Sequence, residues 1–199
     1  MFRKFDPEND VSTSTQIKAS VQRAIKSQIL EAHPGITEEQ LEELLPKKSP
    51  LVQYKVGPHV MLYCQHMAEG ESSGFDFPTV FQHRDGPILP VLKWIHQYPS
   101  LKMTTVTVDK GAIPFLLGGA NIMCPGLLHP NSYMPDDTDD GPGVAKGEGV
   151  VIMAEGKQFA LAVGVMLMSS AEIRKVRKGT CIDVAHVLGD GLYQSPEIR

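Results

Sequence analysis

Cysteine is scarce in this chain, and its spacing excludes two common ways of stabilising a small domain. The 199 residues contain only Cys64, Cys124 and Cys181, which are far apart and odd in number. The sequence contains no Cys-x-x-Cys pair, so it supports neither a zinc ribbon nor a disulfide framework. We therefore expect reduced, mostly buried thiols, as in a cytosolic protein.

The chain also lacks a long hydrophobic run and an excess of positive charge. Its longest apolar stretch, residues 159–168, is interrupted by Gly164 and is too short to span a bilayer. The N-terminus carries Arg3, Lys4 and Asp6 with no apolar core behind them, unlike a signal peptide. The net charge is −4, so any contact with RNA has to come from a local patch. We expect a cytoplasmic protein that does not enter a membrane.

The residues that usually carry chemistry are present but scattered. The seven histidines show no His-Glu-x-x-His pattern and no spacing that links them to the cysteines. Asp183 and Asp190 lie near the C-terminus without an identifiable acid–base partner. The sequence therefore predicts no catalytic residues, no metal site and no cofactor.

The most informative stretch is residues 108–127, which read as a short helix, a glycine turn and an apolar strand. Asp109 is a plausible N-cap, and residues 111–117 are too few for a stable isolated helix, so we expect this helix to dock on a sheet. Gly118-Gly119 ends it, because glycine reaches left-handed backbone geometry without a Cβ penalty. This arrangement is expected to leave Lys110 and backbone amides on one exposed ledge that could hold phosphate oxygens. We call residues 110–119 the ledge.

Patterns in the first half predict helices and strands in alternation. Ile17, Val21, Ile25 and Ile29 recur every four residues, as on one face of a helix. Thr37 and Gln40 have the spacing of a capping box. The predicted elements are a helix at 15–33, a second helix from Thr37 to Pro46, two strands within 51–65, a hairpin loop at 66–77, a strand at 79–83 and a helix at 89–98.

The second half is predicted to be rich in strands. Gly156 supplies the turn of a predicted hairpin, and Ser169 with Glu172 has the spacing of a second capping box. Residues 129–149 are rich in proline, glycine and aspartate, so we expect no packed structure there. The predicted elements are strands at 102–108, 120–124, 150–154, 159–168, 181–187 and 191–193, and a helix from Ser169 to Gly179.

Several long motifs resemble the malignant T-cell-amplified sequence family. The motifs are Val108-Asp-Lys-Gly-Ala-Ile113, Gly119-Ala-Asn-Ile-Met-Cys-Pro-Gly-Leu127 and Ile152-Met-Ala-Glu-Gly-Lys-Gln158, preceded in the same order by Met1-Phe-Arg-Lys-Phe5, Pro34-Gly35, Pro46-Lys47-Lys48, Arg84-Asp-Gly-Pro87 and Tyr98-Pro99. The whole stretch 108–127 also resembles the PUA domain, a small pseudo-barrel that binds structured RNA. The resemblance extends from the first residue to about Tyr193.

The resemblance implies a fold and a division of the chain. We expect an α+β protein with a small mixed N-terminal domain at 1–101, which docks a partner and the ribosome. A PUA-like pseudo-β-barrel that binds RNA would follow at 102–199. An acidic flexible insert at about 129–149 would interrupt it.

The resemblance also implies a function and partners. The family suggests a non-catalytic translation factor that pairs with density-regulated protein, binds the small ribosomal subunit through its rRNA and handles tRNA. Its expected processes are translation reinitiation and post-termination recycling. Two alternatives remain open, namely a protein-interaction module without direct RNA binding and an accessory subunit of an RNA-modifying enzyme.

Candidate contact residues follow from exposure and charge. The candidate RNA-binding residues are Lys110, Gly111, Gly118, Gly119, Lys157 at a hairpin tip, and Arg174 and Lys178 from a basic run. Each has an ordinary alternative, because a glycine pair can simply turn the chain and basic residues favour the C-terminal end of a helix. For the protein partner, Phe2 and Phe5 are the candidate anchors, beside the helix that carries Ile17 and Ile29. Most of these apolar side chains are expected to be core, and an exposed remainder would receive the partner.

Overall fold

Two five-stranded sheets follow one another along the chain, with short helices packed around them. The computed structural model of the protein describes residues 2–66, 76–136 and 143–198. This architecture confirms the α+β class and the order of a mixed N-terminal part followed by a PUA-like pseudo-barrel. Within the described residues, no helix is long and apolar enough to cross a membrane.

The elements of the N-terminal half are α1 (Pro7–Asp10), β1 (Val11–Gln16), α2 (Ala19–Ala32), α3 (Glu38–Leu44), β2 (Leu51–Val56), β3 (Val60–His66), β4 (Asp76–His83), β5 (Ile88–Pro90) and α4 (Leu92–Gln97). Their strands form an antiparallel meander in the order β1-β2-β3-β4-β5. Helix α2 packs near β5, and the capping box predicted at Thr37 and Gln40 is present at the start of α3.

Two helix predictions in this half are too long. The helix predicted at 15–33 starts at Ala19, because Val11–Gln16, which is rich in serine and threonine, forms an edge strand paired with β2. The helix predicted at 89–98 starts at Leu92, because Ile88–Pro90 pairs with β4. The loop predicted at 66–77 lies mostly outside the described residues.

The elements of the C-terminal half are β6 (Thr105–Val108), a 3-10 helix (Lys110–Ala112), α5 (Ile113–Leu117), β7 (Ile122–Met123), α6 (Cys124–Leu127), β8 (Gly149–Ala154), β9 (Ala162–Met166), α7 (Ser170–Val176), β10 (Thr180–Val187) and α8 (Gly191–Gln194). Their sheet has the order β6-β8-β9-β10-β7, with β6 parallel to β8 and the other pairs antiparallel. Helix α6 contacts both edge strands, β6 and β7, so the sheet curls towards closure.

The structure corrects two predictions in this half. Residues 191–193 are not a strand but the start of α8, because the Asp190 carboxylate caps the helix by accepting from the Tyr193 N–H at 2.9 Å. The absence of packed structure predicted for 129–149 is wrong at both described flanks, where Met134 and Val144 are buried in the C-terminal core. Residues 137–142, which carry most of the acidic run, lie outside the described residues.

The two halves share an aromatic contact at their junction. Phe2 lies with its ring centroid 5.1 Å from that of Phe81 in β4 and 5.9 Å from that of His186 in β10. Gly191 fits against the backbone of Phe5, where a Cβ atom would lie only 2.6 Å from the Phe5 nitrogen. The first residues of the chain are therefore wedged between the two sheets.

Candidate nucleic-acid interface

The ledge forms where the sequence predicts it, at the end of β6. Asp109 accepts a hydrogen bond from the Gly111 N–H and so starts the 3-10 helix, which runs directly into α5. Of the two glycines that follow, Gly119 has the positive φ, +81°, whereas Gly118 keeps a right-handed helical conformation. The glycine turn is therefore a single left-handed residue.

The backbone N–H groups of the three ledge glycines are not free, contrary to the sequence-based expectation. The Gly111 N–H is bound by Asp109, and the N–H groups of Gly118 and Gly119 donate to Pro114 and Leu116 at 3.0 and 2.8 Å. These bonds satisfy the last turn of a helix, which is the usual fate of glycine-terminated ends. These three N–H groups therefore offer no donor to a phosphate, and the Lys110 side chain becomes the main candidate on the ledge.

Lys110 and Lys157 lie at the same end of the C-terminal sheet. Val108 pairs with Ala154 in the parallel β6–β8 ladder, and the next N–H, that of Glu155, donates to the Val108 carbonyl at 2.9 Å. Lys110 follows Val108 by two residues, and Lys157 follows Ala154 by three, in a turn closed by Gly156 at φ +70°. Both lysines are exposed.

Arg3 is a cation near the ledge that the sequence analysis did not select. Its Cδ lies 3.5 Å from the position that a Cβ on Gly119 would occupy, so the exposed arginine side chain passes over the glycine turn. The sequence offered one signal for Arg3, because this residue belongs to the motif Met1-Phe-Arg-Lys-Phe5, which resembles the family. Its proximity to Gly119 depends on the wedge of Phe2 between the sheets, which no local pattern reveals.

Arg174 and Lys178 lie at the opposite end of the sheet from Lys157. They belong to α7 and to the turn that precedes β10, whereas the turn that carries Lys157 adjoins the other end of β9. Arg174 pairs with Asp136 at 2.9 Å, and its buried Nη1 has no hydrogen-bond partner among the described residues. The candidate RNA-binding residues thus form two separate groups.

Phe2 and Phe5 are core residues, which corrects their selection as exposed anchors. Phe2 is 2 % exposed and Phe5 is also buried, with their ring centroids 5.7 Å apart. The sequence alone does not show whether an aromatic residue near the start of a chain is exposed to a partner or buried between two sheets. Neither side chain is available to a partner in this structure.

Exposed apolar side chains lie instead on and after α5. Phe115, Leu117 and Met123 are 70 %, 43 % and 48 % exposed. The residues between Leu117 and Met123 are exposed as well, except Ile122, and we call residues 115–123 the apolar strip. Neighbouring exposed apolar residues of this kind are typical of protein-binding surfaces.

The cysteine thiols are not accessible at this surface. Cys64, Cys124 and Cys181 are all buried and free, as the sequence predicts for buried thiols. Burial raises the pKa of Cys181 to about 12, with Cys124 adding to the effect, and burial raises the pKa of Cys64 as well. Across the described ranges, no group of three or more His, Cys, Asp and Glu side chains could hold a metal ion.

Two family models match the chain in succession. A Pre-PUA-like domain matches residues 5–99, and a model described as "elF2D, PUA domain" matches residues 103–191. Among solved structures, a hypothetical protein from Pyrococcus horikoshii OT3 aligns with a TM-score of 0.67 at 20 % identity, covering 92 % of this chain and 99 % of that one. A conserved PUA domain protein from Thermoplasma acidophilum aligns over the same shares with a TM-score of 0.56 at 20 % identity. These two structures support the fold.

Sequence relatives match over almost the whole length. Translation machinery-associated protein 20 from Schizosaccharomyces pombe is 40 % identical, with 98 % of each chain covered. Malignant T-cell-amplified sequence 1-A from Xenopus laevis and malignant T-cell-amplified sequence 2 from Homo sapiens are each 42 % identical, with 97 % of each chain covered. The chain therefore belongs to the malignant T-cell-amplified sequence family, which includes translation machinery-associated protein 20, and is a PUA-domain protein of the translation machinery.

Proposed function

We propose that the protein is a non-catalytic translation factor that acts in the cytoplasm on the small ribosomal subunit together with density-regulated protein. Its processes would be translation reinitiation, tRNA handling and post-termination recycling. The names of its relatives and its two matched domains support this proposal. The structural observation that carries it is the pair of exposed lysines, Lys110 and Lys157, at one end of the PUA-like sheet.

The RNA-binding surface is centred on Lys110 and Lys157, with Arg3 beside them. Their side chains bind phosphates, and the glycines of the ledge, Gly111, Gly118 and Gly119, let the RNA backbone approach closely. Arg174 and Lys178 form a second and more distant contact. Specificity comes from RNA shape and from phosphate contacts more than from reading bases.

The division of labour follows the two sheets. Residues 1–101 dock the ribosome, and residues 102–199 bind RNA, a division supported by the separate matched ranges 5–99 and 103–191. Density-regulated protein docks on the apolar strip, because Phe115 offers an exposed aromatic anchor that the buried Phe2 and Phe5 cannot offer.

The first test measures RNA binding. Small ribosomal subunits and tRNA are titrated with wild type, Lys110→Glu and Lys157→Glu over a series of salt concentrations. Each variant should weaken binding and reduce the slope of log K against log salt by about 1, because one phosphate contact is lost. Lys55→Glu is the matched control in the tRNA titration, since Lys55 is exposed on the N-terminal sheet, outside the half that is proposed to bind RNA. If all four proteins bound small subunits and tRNA with equal affinity, the proposed RNA-binding surface would be wrong.

The second test measures the partner. Phe115→Ala should abolish co-purification with density-regulated protein, because an exposed apolar anchor is removed. RNA binding by the isolated protein is retained, since the substitution adds no negative charge to the ledge. Leu167→Ala is the control, because Leu167 is exposed outside the apolar strip. Unchanged association of Phe115→Ala would place the partner elsewhere.

A protein-interaction module without direct RNA binding is the alternative that specific observations favour. Three observations weaken the electrostatic attraction of RNA. The glycine N–H groups of the ledge are already hydrogen-bonded, Arg174 is paired with Asp136, and the net charge is −4. This alternative predicts ribosome association that depends entirely on density-regulated protein. Binding to small subunits by the purified protein alone, lost on Lys110→Glu, would exclude it.

A further inference from the structure

A small cluster of rings and cations spans the junction of the two sheets near the turn that carries Lys157. Phe159 of that turn has its ring centroid 5.5 Å from that of His96 in α4. His96 in turn lies 6.0 Å from Tyr193 of α8, and the Lys93 Nζ lies 5.4 Å from the centre of the Tyr193 ring. The cluster therefore joins the N-terminal half, the β8–β9 turn and the C-terminal helix.

Hydrogen bonds hold the members of this cluster in place. His96 donates from Nε2 to the Ala160 carbonyl at 2.8 Å, since a carbonyl can only accept. That bond fixes the imidazole edge-on beside Phe159, at an interplanar angle of 68°. The turn itself is tied by the Lys157 N–H to the Ala154 carbonyl at 3.0 Å and by the Leu161 N–H to the Ile152 carbonyl at 2.8 Å. The Phe159 ring is thus held by a hydrogen-bonded turn and by its contact with His96.

Phe159 is nevertheless 60 % exposed. Among the described residues, Phe159 is the one large apolar side chain of this turn that is exposed. A single ring offers little apolar area compared with the cluster of anchors that a protein interface usually contains. It offers enough area for the face of one nucleobase.

The charges around the ring suit a nucleic acid. Lys157 precedes Phe159 by two residues and is exposed, and Lys93 belongs to the cluster through the contact of its Nζ with the Tyr193 ring. The nearest acidic residue in the turn, Glu155, accepts from the Asn131 side chain at 3.2 Å. An aromatic face flanked by cations is the arrangement that binds unpaired nucleotides, with stacking for the base and lysine for the phosphate.

We propose that the exposed face of Phe159 stacks on an unpaired nucleobase of RNA, with Lys157 and Lys93 binding the phosphates on either side. The inference rests on the proposed function, since it names the part of the RNA that this end of the sheet receives. His96 acts as a positioning residue that holds the Phe159 ring upright. Because Lys93 and Lys157 come from different halves, the nucleotide bridges the two halves of the protein.

The test uses an RNA hairpin with a short unpaired 3′ tail that carries 2-aminopurine at one tail position at a time. The full-length protein is titrated as wild type, Phe159→Ala, Phe159→Trp and Tyr133→Ala. Tyr133 is the matched control, an aromatic residue of the same half that is 61 % exposed. Wild type should change the 2-aminopurine fluorescence at one tail position. Phe159→Ala should lose that change and bind about 5- to 150-fold more weakly, the range expected for one base stack.

The other arms separate this inference from the proposed function. Phe159→Trp should restore the fluorescence change, and a blunt hairpin without a tail should bind wild type and Phe159→Ala equally. If Phe159→Ala binds the tailed hairpin like wild type while Lys110→Glu binds weakly, the stacking inference is wrong and the proposed RNA surface stands. If the wild-type protein binds neither hairpin nor small subunits, both fail. Loss of partner association with unchanged RNA binding would assign Phe159 to a protein interface and overturn the inference.

Discussion

At the scale of single residues, His33 links burial to the pH dependence of stability. It is buried at the end of α2, and its Nε2 donates to the Ile88 carbonyl at 2.8 Å. Burial lowers the pKa of His33 below its ordinary value of 6.5, with the hydrogen bond to Ile88 opposing the shift. The folded protein therefore keeps His33 neutral at pH values where the unfolded chain already binds a proton.

This difference predicts that the free energy of unfolding falls as the pH drops below about 6.5, because the unfolded state then binds more protons. His33→Gln retains a donor for Ile88 but cannot titrate, so its pH dependence should be shallower in that window. Urea unfolding at several pH values measures it, and His59→Gln, in the exposed turn after β2, is the control. An equal slope for wild type and His33→Gln would show that other groups control stability there.

Single residues also explain how far the interface could be predicted. The exposure of Lys110 and Lys157 followed from their places after a strand end and in a tight turn. The use of the Gly118 and Gly119 amides inside the ledge could not be predicted, because it depends on helical hydrogen bonds to residues three and four positions earlier. Phe2 was misplaced because its neighbours are Phe81 and His186, far away in the sequence.

At the scale of elements, the capping boxes are the most transferable signal. At α3 the Gln40 N–H donates to Thr37 Oγ1 at 3.2 Å, and the Thr37 N–H donates to the Gln40 side chain at 3.0 Å. At α7 the reciprocal bonds between Ser169 and Glu172 are 3.2 and 2.8 Å. Both helix starts were predicted from the sequence because this motif is completed within four residues.

Removal of one helix cap should therefore lower the free energy of unfolding by a measurable amount. Thr37→Ala should lower the free energy of unfolding by about 1 kcal/mol, since the first turn of α3 loses an acceptor for the Gln40 N–H. Thr37→Ser keeps the hydroxyl and should recover most of the loss. Chemical denaturation followed by far-UV circular dichroism measures both, and equal stability of the alanine and serine variants would mean that the cap contributes nothing.

Elements whose identity depends on a neighbour were harder to predict. Val11–Gln16 is a strand because β2 offers it a partner, and Gly191–Gln194 is a helix because Asp190 caps it while Gly191 fits against Phe5. The packed flanks at Met134 and Val144 lie in a segment whose composition indicates a loop. A contact distant in sequence outweighed the local pattern at β1, at the packed flanks and at Gly191, whereas the Asp190 cap is a local contact.

At the scale of the whole molecule, the N-terminal wedge couples the two sheets. Phe2 touches a strand of each, and its carbonyl accepts from the Gly191 N–H at 2.9 Å. His186 is buried beside it with Nδ1 2.8 Å from Asp190, so a polar pair also lies at the junction. Two sheets joined in this way should unfold together rather than as independent domains, and they should hold the residues around Phe159 and His96 in one arrangement.

Phe2→Ala tests this coupling, because it removes a buried ring that belongs to both halves. We expect a loss of about 3–5 kcal/mol in the free energy of unfolding, as for other buried phenylalanines. Phe159→Ala is the matched control, since Phe159 is exposed and its loss should change stability by only about 0.5 kcal/mol. Hydrogen exchange should then show amide protection falling in β4 and β10 alike for Phe2→Ala. Loss of protection in β4 with β10 unchanged would mean that the sheets unfold separately and that the wedge belongs to the N-terminal half alone.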